Sequence, residues 1–158
     1  MDKEMLELIH EAIDLEMAIG KLYSLFSRKC DEDKIFWMQL ETEEYNHAAL
    51  LRAAKEFVAY SKFPLGLIPD HTEQIKQSTK QINENYDRFE KDPDRFNAFS
   101  TAYELENIAG ELHYQQFMES SSKDELTSTF QKLNRADNDH SKRILKYWTE
   151  ANQESNRE

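Results

Sequence analysis

Six side chains of the sequence have the types and the spacing that a metal site in a helical protein needs. They are Glu16, Glu44, His47, Glu106, Asp137 and His140. The four carboxylates stand among apolar residues at helical spacing, and charged side chains are rarely buried without a partner or a metal ion. Two of them are followed three positions later by a histidine, which puts both side chains on one helix face. Each such pair can therefore reach the same ion.

The charge balance of this set favours two metal ions. Four carboxylates packed together would repel one another and would be forced to take up protons. Two divalent cations cancel the four negative charges and leave the histidines neutral, as metal ligands must be. Oxygen and imidazole ligands suit iron or manganese, and two ions about 3.5–4 Å apart can share a bridging oxygen species. We therefore predict a pair of metal ions, with iron expected and manganese or a mixed manganese–iron pair as alternatives.

Long helices are predicted to position these residues. With 3 Gly and 3 Pro in 158 residues there is too little turn chemistry for a many-stranded sheet. The predicted core helices cover about residues 3–29, 31–60, 93–119 and 122–152, and a polar helix covers 71–91. The fold class is therefore all-α, with a single domain over 1–158. Two helical hairpins joined by a long crossover with an extra helix form a four-helix bundle.

Apolar residues at helical spacing define the predicted core of this bundle. They are Ile9, Ala12, Ile13, Ile19, Tyr23, Phe26, Phe36, Trp37, Leu40, Leu51, Ala54, Val58, Phe96, Phe99, Ala102, Tyr103, Ala109, Phe117, Leu126, Phe130, Leu133, Ile144 and Tyr147.

The two halves of the chain also resemble each other. Residues 12–16 (AIDLE) align with 102–106 (AYELE), and Gly20 then falls on Gly110. In each hairpin the carboxylates of the two helices lie at nearly equal distances from the turn between them. Antiparallel helices place such residues at the same height, so we predict one layer that contains all six side chains.

Chance alone explains a single acid–histidine pair, because 31 of the 158 residues are acidic. Glu7 and His10 have the same spacing and are interpreted as facing away from the helix stripe that carries Glu16. The set of six is more specific, since it combines two pairs, two further carboxylates, matched heights and internal duplication.

The complete pattern resembles the ferritin-like superfamily, in which two helices each supply a Glu and two others each supply Glu-x-x-His. The rubrerythrin-like branch is the most similar. Glu16 is followed seven residues later by Tyr23, as in the first helix of that branch, and residues 44–48 (EYNHA) resemble its second motif. The resemblance covers about residues 3–60 and 94–150.

This resemblance implies roles for the individual side chains. Glu44 and Asp137 would bridge or chelate the metals, Glu16 and Glu106 would be terminal or bridging ligands, and each histidine would bind one ion. Tyr23 would either hydrogen-bond a ligand carboxylate and help to supply protons or simply pack in the core. His113 stands at the equivalent place in the third core helix and is either a similar donor or a packing residue.

Three departures from the family pattern are visible. Asp137 stands where the family usually has Glu, so the bridging geometry is expected to differ. Ala109 stands where rubrerythrins carry a further Glu, which puts their redox-linked ligand exchange in doubt. The rubredoxin iron–sulfur module is missing, because Cys30 is the only cysteine.

The function that the resemblance implies is a di-metal oxidoreductase. It would reduce a small oxidant, peroxide or dioxygen, with electrons from an external donor. Two alternatives stay open: a ferroxidase or iron-handling protein of the ferritin kind, and a non-catalytic binding module that metal merely stabilises.

Composition excludes several other classes. A net charge of −11 argues against nucleic-acid binding, which needs clustered Lys and Arg. No apolar run reaches the roughly 18 residues of a membrane span, and the acidic, periodic first residues are unlike a signal peptide. A lone Cys30, expected at the surface, permits no internal disulfide. We expect a soluble, cytoplasmic protein that forms a homo-oligomer such as a dimer.

Overall fold

A computed structural model describes residues 3–58, 71–117 and 125–155, and for residues 4, 5, 57, 58, 71, 110–117, 125–127, 130, 152, 154 and 155 it describes the backbone alone. The helices are α1 (Lys3–Lys29), a 3₁₀ turn (Asp31–Asp33), α2 (Lys34–Val58), α3 (His71–Lys91), α4 (Arg95–Phe117) and α5 (Glu125–Ser155). These ranges contain no strand, so the predicted all-α class is confirmed. None of the described helices is long and apolar enough to cross a membrane.

The helices pack as the two predicted hairpins. Helix α1 lies along α2, α4 lies along α5, and α2 also contacts α5. Helix α3, the extra helix of the crossover, packs on α1 and α4. It is polar overall but buries Ile75, Ile82 and Phe89, which repeat every seven residues and form one apolar stripe.

The predicted core is largely confirmed, with two errors on α4. Phe96 is 61% exposed and Tyr103 is 39% exposed. They are seven residues apart, and α4 turns the face carrying Phe99, Ala102 and Ala109 toward the core instead. Val58, Phe117, Leu126 and Phe130 lie outside the described side chains.

Gly20 lets α1 and α2 approach closely beside the predicted metal ligands. A Cβ atom at this position would lie 2.7 Å from a ring carbon of Tyr45 and 3.3 Å from Cβ of Glu44. The glycine therefore allows α1 and α2 to pack closely, and it does not leave an open space beside the ligands. Its counterpart in the second half, Gly110, lies outside the described side chains.

The two hairpins are tied together where α1 turns into α2. Asp33 is buried and accepts two hydrogen bonds from Arg95 at the start of α4, at 2.7 and 2.8 Å. Cys30 is buried beside this ion pair, so its predicted surface position is wrong. Burial and the negative charge of Asp33 raise the pKa of the Cys30 thiol to about 11.

Candidate metal centre

The structure brings all six predicted ligands into one buried layer. The residues fall into two groups, Glu16 with His47 and Asp137, and Glu44 with Glu106 and His140. Within each group the ligand atoms all lie within 4.8 Å of one another. Each group draws on three helices, and each combines two carboxylates with one imidazole. Such groups could hold a metal ion.

Glu44 belongs to the second group and also faces His47 of the first. Its Oε2 is 3.3 Å from Nδ1 of His47, and its Oε1 is 2.8 Å from Nδ1 of His140. The two imidazole rings stack with centroids 5.4 Å apart. The sequence predicted that each acid–histidine pair shares an ion, but packing instead groups His140 with Glu44 from another helix. A carboxylate with one oxygen toward each group has the geometry of a bridging ligand.

Among the residues that the structure describes, three buried ligand atoms of the second group have no hydrogen-bond partner. They are Oε1 of Glu44, Oε2 of Glu106 and Nδ1 of His140. The 2.8 Å approach of His140 to Glu44 is an ion-pair contact without hydrogen-bond geometry. Buried polar atoms have a hydrogen-bond partner in roughly 90% or more of cases. Two carboxylate oxygens that converge on an imidazole nitrogen without hydrogen-bond geometry would suit a divalent metal ion in place of the imidazole proton.

Protons and metal ions compete for the two histidines. Burial opposes the charged form of His47, but Glu16 and Glu44 outweigh it and raise the pKa of His47 from 6.5 to about 10. Burial likewise opposes the charge of His140, but Glu106 and Glu44 raise its pKa to about 12. Without metal, both imidazoles are therefore cationic at neutral pH and neutralise part of the acidic layer. An ion that binds there must displace their protons.

The pKa values of two carboxylates beside these histidines, Glu106 and Glu44, are shifted in opposite directions. Burial and the charge of Glu44 raise the pKa of Glu106 to about 7. Burial would also favour protonated Glu44, but the neighbouring His140 and His47 hold its pKa far below the ordinary value. Glu44 is thus the permanently charged carboxylate between the two groups.

A second carboxylate, Glu43, holds His140 in position. Nε2 of His140 lies 2.7 Å from Oε2 of Glu43. Arg143 donates two hydrogen bonds to Glu43, at 2.6 and 3.1 Å. A histidine that donates its second ring nitrogen to a carboxylate is fixed in tautomer and orientation and is a stronger metal ligand. The sequence analysis missed Glu43 and Arg143. The sequence contained only a weak indication of their role. Glu43 adjoins Glu44, and Arg143 follows His140 by three residues.

The Glu43–Arg143 pair that supports His140 has no counterpart at the equivalent positions beside His47. The positions equivalent to Glu43 and Arg143 in the other half are Ala136 and Leu50, and Leu50 packs against the apolar core. The side chain of His47 is also 13% exposed, against 1% for His140. The two groups are therefore chemically inequivalent.

We expect Glu43→Gln to weaken metal binding at the His140 group by about 10- to 100-fold, because the carboxylate of Glu43 fixes the orientation and raises the basicity of the His140 ring. Titration with Mn²⁺ against a competing chelator measures the two affinities separately. The control is Glu104→Gln, an exposed residue of α4. Equal affinities in wild type and Glu43→Gln would show that Glu43 only forms a surface ion pair.

Tyr23 occupies the place that the sequence predicted for a hydrogen-bond donor. It is fully buried, and its hydroxyl donates to Oε1 of Glu106. Burial and the charge of Glu106 raise the pKa of Tyr23 well above its ordinary value, so the phenol keeps its proton. The side chain of His113 lies outside the described residues.

The further acid–histidine pair, Glu7 and His10 of α1, is remote from this layer. Glu7 accepts a hydrogen bond from Lys76 of α3 at 2.7 Å. His10 is exposed and lies 3.4 Å from Asp14 on the same helix. Its interpretation as a chance pair agrees with this position.

No family model, curated protein or solved structure matches the chain. The ferritin-like resemblance therefore stays a prediction, and the case for function depends on the geometry of the acidic layer.

Proposed function

We propose that the chain is a ferritin-like, rubrerythrin-like di-iron oxidoreductase that reduces peroxide or dioxygen with electrons from an external donor. The observation that carries the proposal is the pair of adjoining carboxylate–histidine groups with Glu44 between them. When bound there, two iron ions would supply two electrons and two Lewis-acidic centres for cleavage of an O–O bond.

The protein residues would contribute ligands, orientation and protons. Glu44, which faces both histidines, would help to hold both ions, while Glu43 and Arg143 would keep the His140 ring aligned. Tyr23 would hold Glu106 through its hydroxyl and would be a source of protons beside the ligand layer. The surrounding buried aliphatic and aromatic side chains would exclude bulk water from the layer.

Ferrous-iron oxidation is the second candidate function. The partial exposure of His47 and the lack of a supporting carboxylate at the position equivalent to Glu43 favour weaker retention of one ion. An iron-handling protein would use such a site to oxidise its substrate ion and release it.

We expect the iron-loaded protein to oxidise an added one-electron reductant when peroxide is supplied, whereas protein loaded with redox-inert Zn²⁺ would not. Stopped-flow absorbance of the reductant measures the turnover, and elemental analysis gives the iron content. Release of Fe³⁺ into a large mineral-filled shell, seen by size-exclusion chromatography, would favour the ferritin-like alternative. Two retained iron ions without turnover would favour a non-catalytic metal-stabilised module.

A further inference from the structure

A continuous row of aromatic rings leads from the metal layer toward the surface. Tyr23 stacks on Trp37 with ring centroids 5.7 Å apart. Trp37 contacts Phe99 at 4.6 Å, and Phe99 contacts Trp148 at 4.7 Å. The row therefore crosses the core from α1 through α2 and α4 to α5.

Both ends of the row have a defined environment. At the inner end, Tyr23 donates its hydroxyl hydrogen to Glu106 of the second ligand group. At the outer end, Trp148 is partly exposed and lines an open groove with Phe96 and Leu145. An electron that enters or leaves at Trp148 thus needs no protein opening to reach the rings.

Trp37 is the residue that packing alone explains least. It is fully buried, and within the described part of the chain its indole Nε1 has no hydrogen-bond partner. Burying an N–H group without a partner costs free energy, and Phe would fill much of the same space without that cost. An oxidisable indole is therefore present where an ordinary core would favour a hydrocarbon ring.

We infer that Tyr23, Trp37 and Trp148 form an electron-transfer route between the buried metal layer and the surface. Phenol and indole rings can each lose one electron, whereas the phenyl ring of Phe99 only bridges two of them. Electron transfer falls off steeply with distance, and these rings follow one another in near contact. The physiological purpose of the route rests on the proposed function, but the route itself is a property of the protein side chains.

The charges along the route permit this transfer. The guanidinium carbon of Arg95 lies 5.4 Å from the ring of Trp148 and would disfavour a positive charge there. Asp33 binds Arg95 through two hydrogen bonds and neutralises that charge. A transient radical cation on Trp148 therefore meets no net opposing charge from this pair.

The electron balance of one transfer is simple. A one-electron oxidant at the surface takes an electron from Trp148, Trp148 takes one from Trp37, and Trp37 takes one from Tyr23. Tyr23 releases its phenolic proton along the hydrogen bond to Glu106, which leaves a neutral tyrosyl radical. During turnover, reduction of one peroxide to two waters consumes two electrons and two protons, and Tyr23 would give up one electron and its phenolic proton at a time. A one-electron donor such as a reduced flavoprotein or iron–sulfur protein would supply each electron at Trp148, and the tyrosyl radical would regain its proton from Glu106.

Flash photolysis of the full chain tests the route without any iron chemistry. The protein is loaded with redox-inert Zn²⁺, and a photo-oxidised ruthenium complex in solution is the one-electron oxidant. Transient absorption and freeze-quench electron paramagnetic resonance follow the radicals. We expect a tryptophan radical that decays as a tyrosyl radical appears, and Tyr23→Phe should lose that tyrosyl signal. Retention of the full tyrosyl signal in Tyr23→Phe would place the radical on surface tyrosines and refute the inference.

Two variants separate electron transfer from packing. Trp37→Phe keeps an aromatic ring, but the radical formed on Trp148 should no longer be passed on to Tyr23. Trp37→Tyr supplies an oxidisable ring and should restore this electron transfer. Trp148→Phe cuts the route at its partly exposed end and should also lose the Tyr23 radical, with circular dichroism as the check of folding. Transfer at the wild-type rate in Trp148→Phe or in Trp37→Phe would refute the route. Peroxide turnover can persist in either case, so failure of the route and failure of the proposed function are distinguishable.

Discussion

Replacing Glu44 with glutamine should remove metal from both groups. Wild-type protein is expected to retain two divalent ions per chain, and Glu44→Gln close to none. Glutamine has the shape of glutamate, but its amide nitrogen cannot ligate and its charge is lost. Glu44 faces both histidines, at 3.3 and 2.8 Å, so its charge supports both ions. Elemental analysis after removal of free metal measures the content, and circular dichroism checks the fold.

Matched substitutions make this result specific. Asp137→Asn should remove the ion bound with Glu16 and His47 and weaken the second through the loss of one negative charge. Glu7→Gln alters an exposed carboxylate with the same spacing from a histidine and should leave the metal content intact. Full metal content in Glu44→Gln would refute the assignment of the site. Loss of metal in Glu7→Gln would show that the wrong acid–histidine pair was chosen.

The helices and the six candidate ligands were predictable because both depend on spacing along single helices. Glu16, Glu44 and Glu106 interrupt apolar stripes, and a buried charge on such a stripe already requires a partner. The prediction of a single ligand layer then followed, because in each helical hairpin the carboxylates lie at nearly equal distances from the turn that joins the two helices. The described residues of α1 and α3 begin and end at the predicted positions.

The remaining features depend on contacts between helices, which periodicity does not contain. Glu43 lies one position away from the apolar stripe that contains Glu44, so the sequence pattern predicts a solvent-exposed acid. Only the packing of α5 on α2 places His140 and Arg143 beside it. Phe96 was expected in the core because it is apolar at helical spacing. The rotation of α4 about its own axis decides its exposure, and that rotation is set by packing on α5.

The metal-free protein should lose stability as the pH rises above neutrality. A histidine whose pKa is raised on folding stabilises the folded state fully below its unfolded pKa of about 6.5. That contribution is lost as the pH rises through the folded-state pKa, which is about 10 for His47 and about 12 for His140. The raised pKa of Glu106, about 7, acts in the same direction at lower pH. The melting temperature without metal should therefore fall between about pH 6.5 and 10.

Metal binding should show the opposite dependence on pH. Each ion must displace an imidazolium proton. The affinity for Mn²⁺ should therefore rise with pH as long as the metal-free folded protein carries more protons than the metal complex. The gap in melting temperature between metal-loaded and metal-free protein should widen as the pH increases, until hydroxide competes for the ion. Calorimetric titration in buffers of different ionisation enthalpy counts the protons released.

The variant Glu44→Gln distinguishes proton–metal competition from a general effect of alkali. It removes the carboxylate that raises the pKa of both histidines, so its melting temperature should depend less on pH and should not respond to Mn²⁺. A metal-free wild type whose stability is constant or rises over this range would mean that the histidines are neutral without metal. In that case the acidic layer would need a different source of positive charge, and the two carboxylate–histidine groups would not be held in place by protons before metal binds.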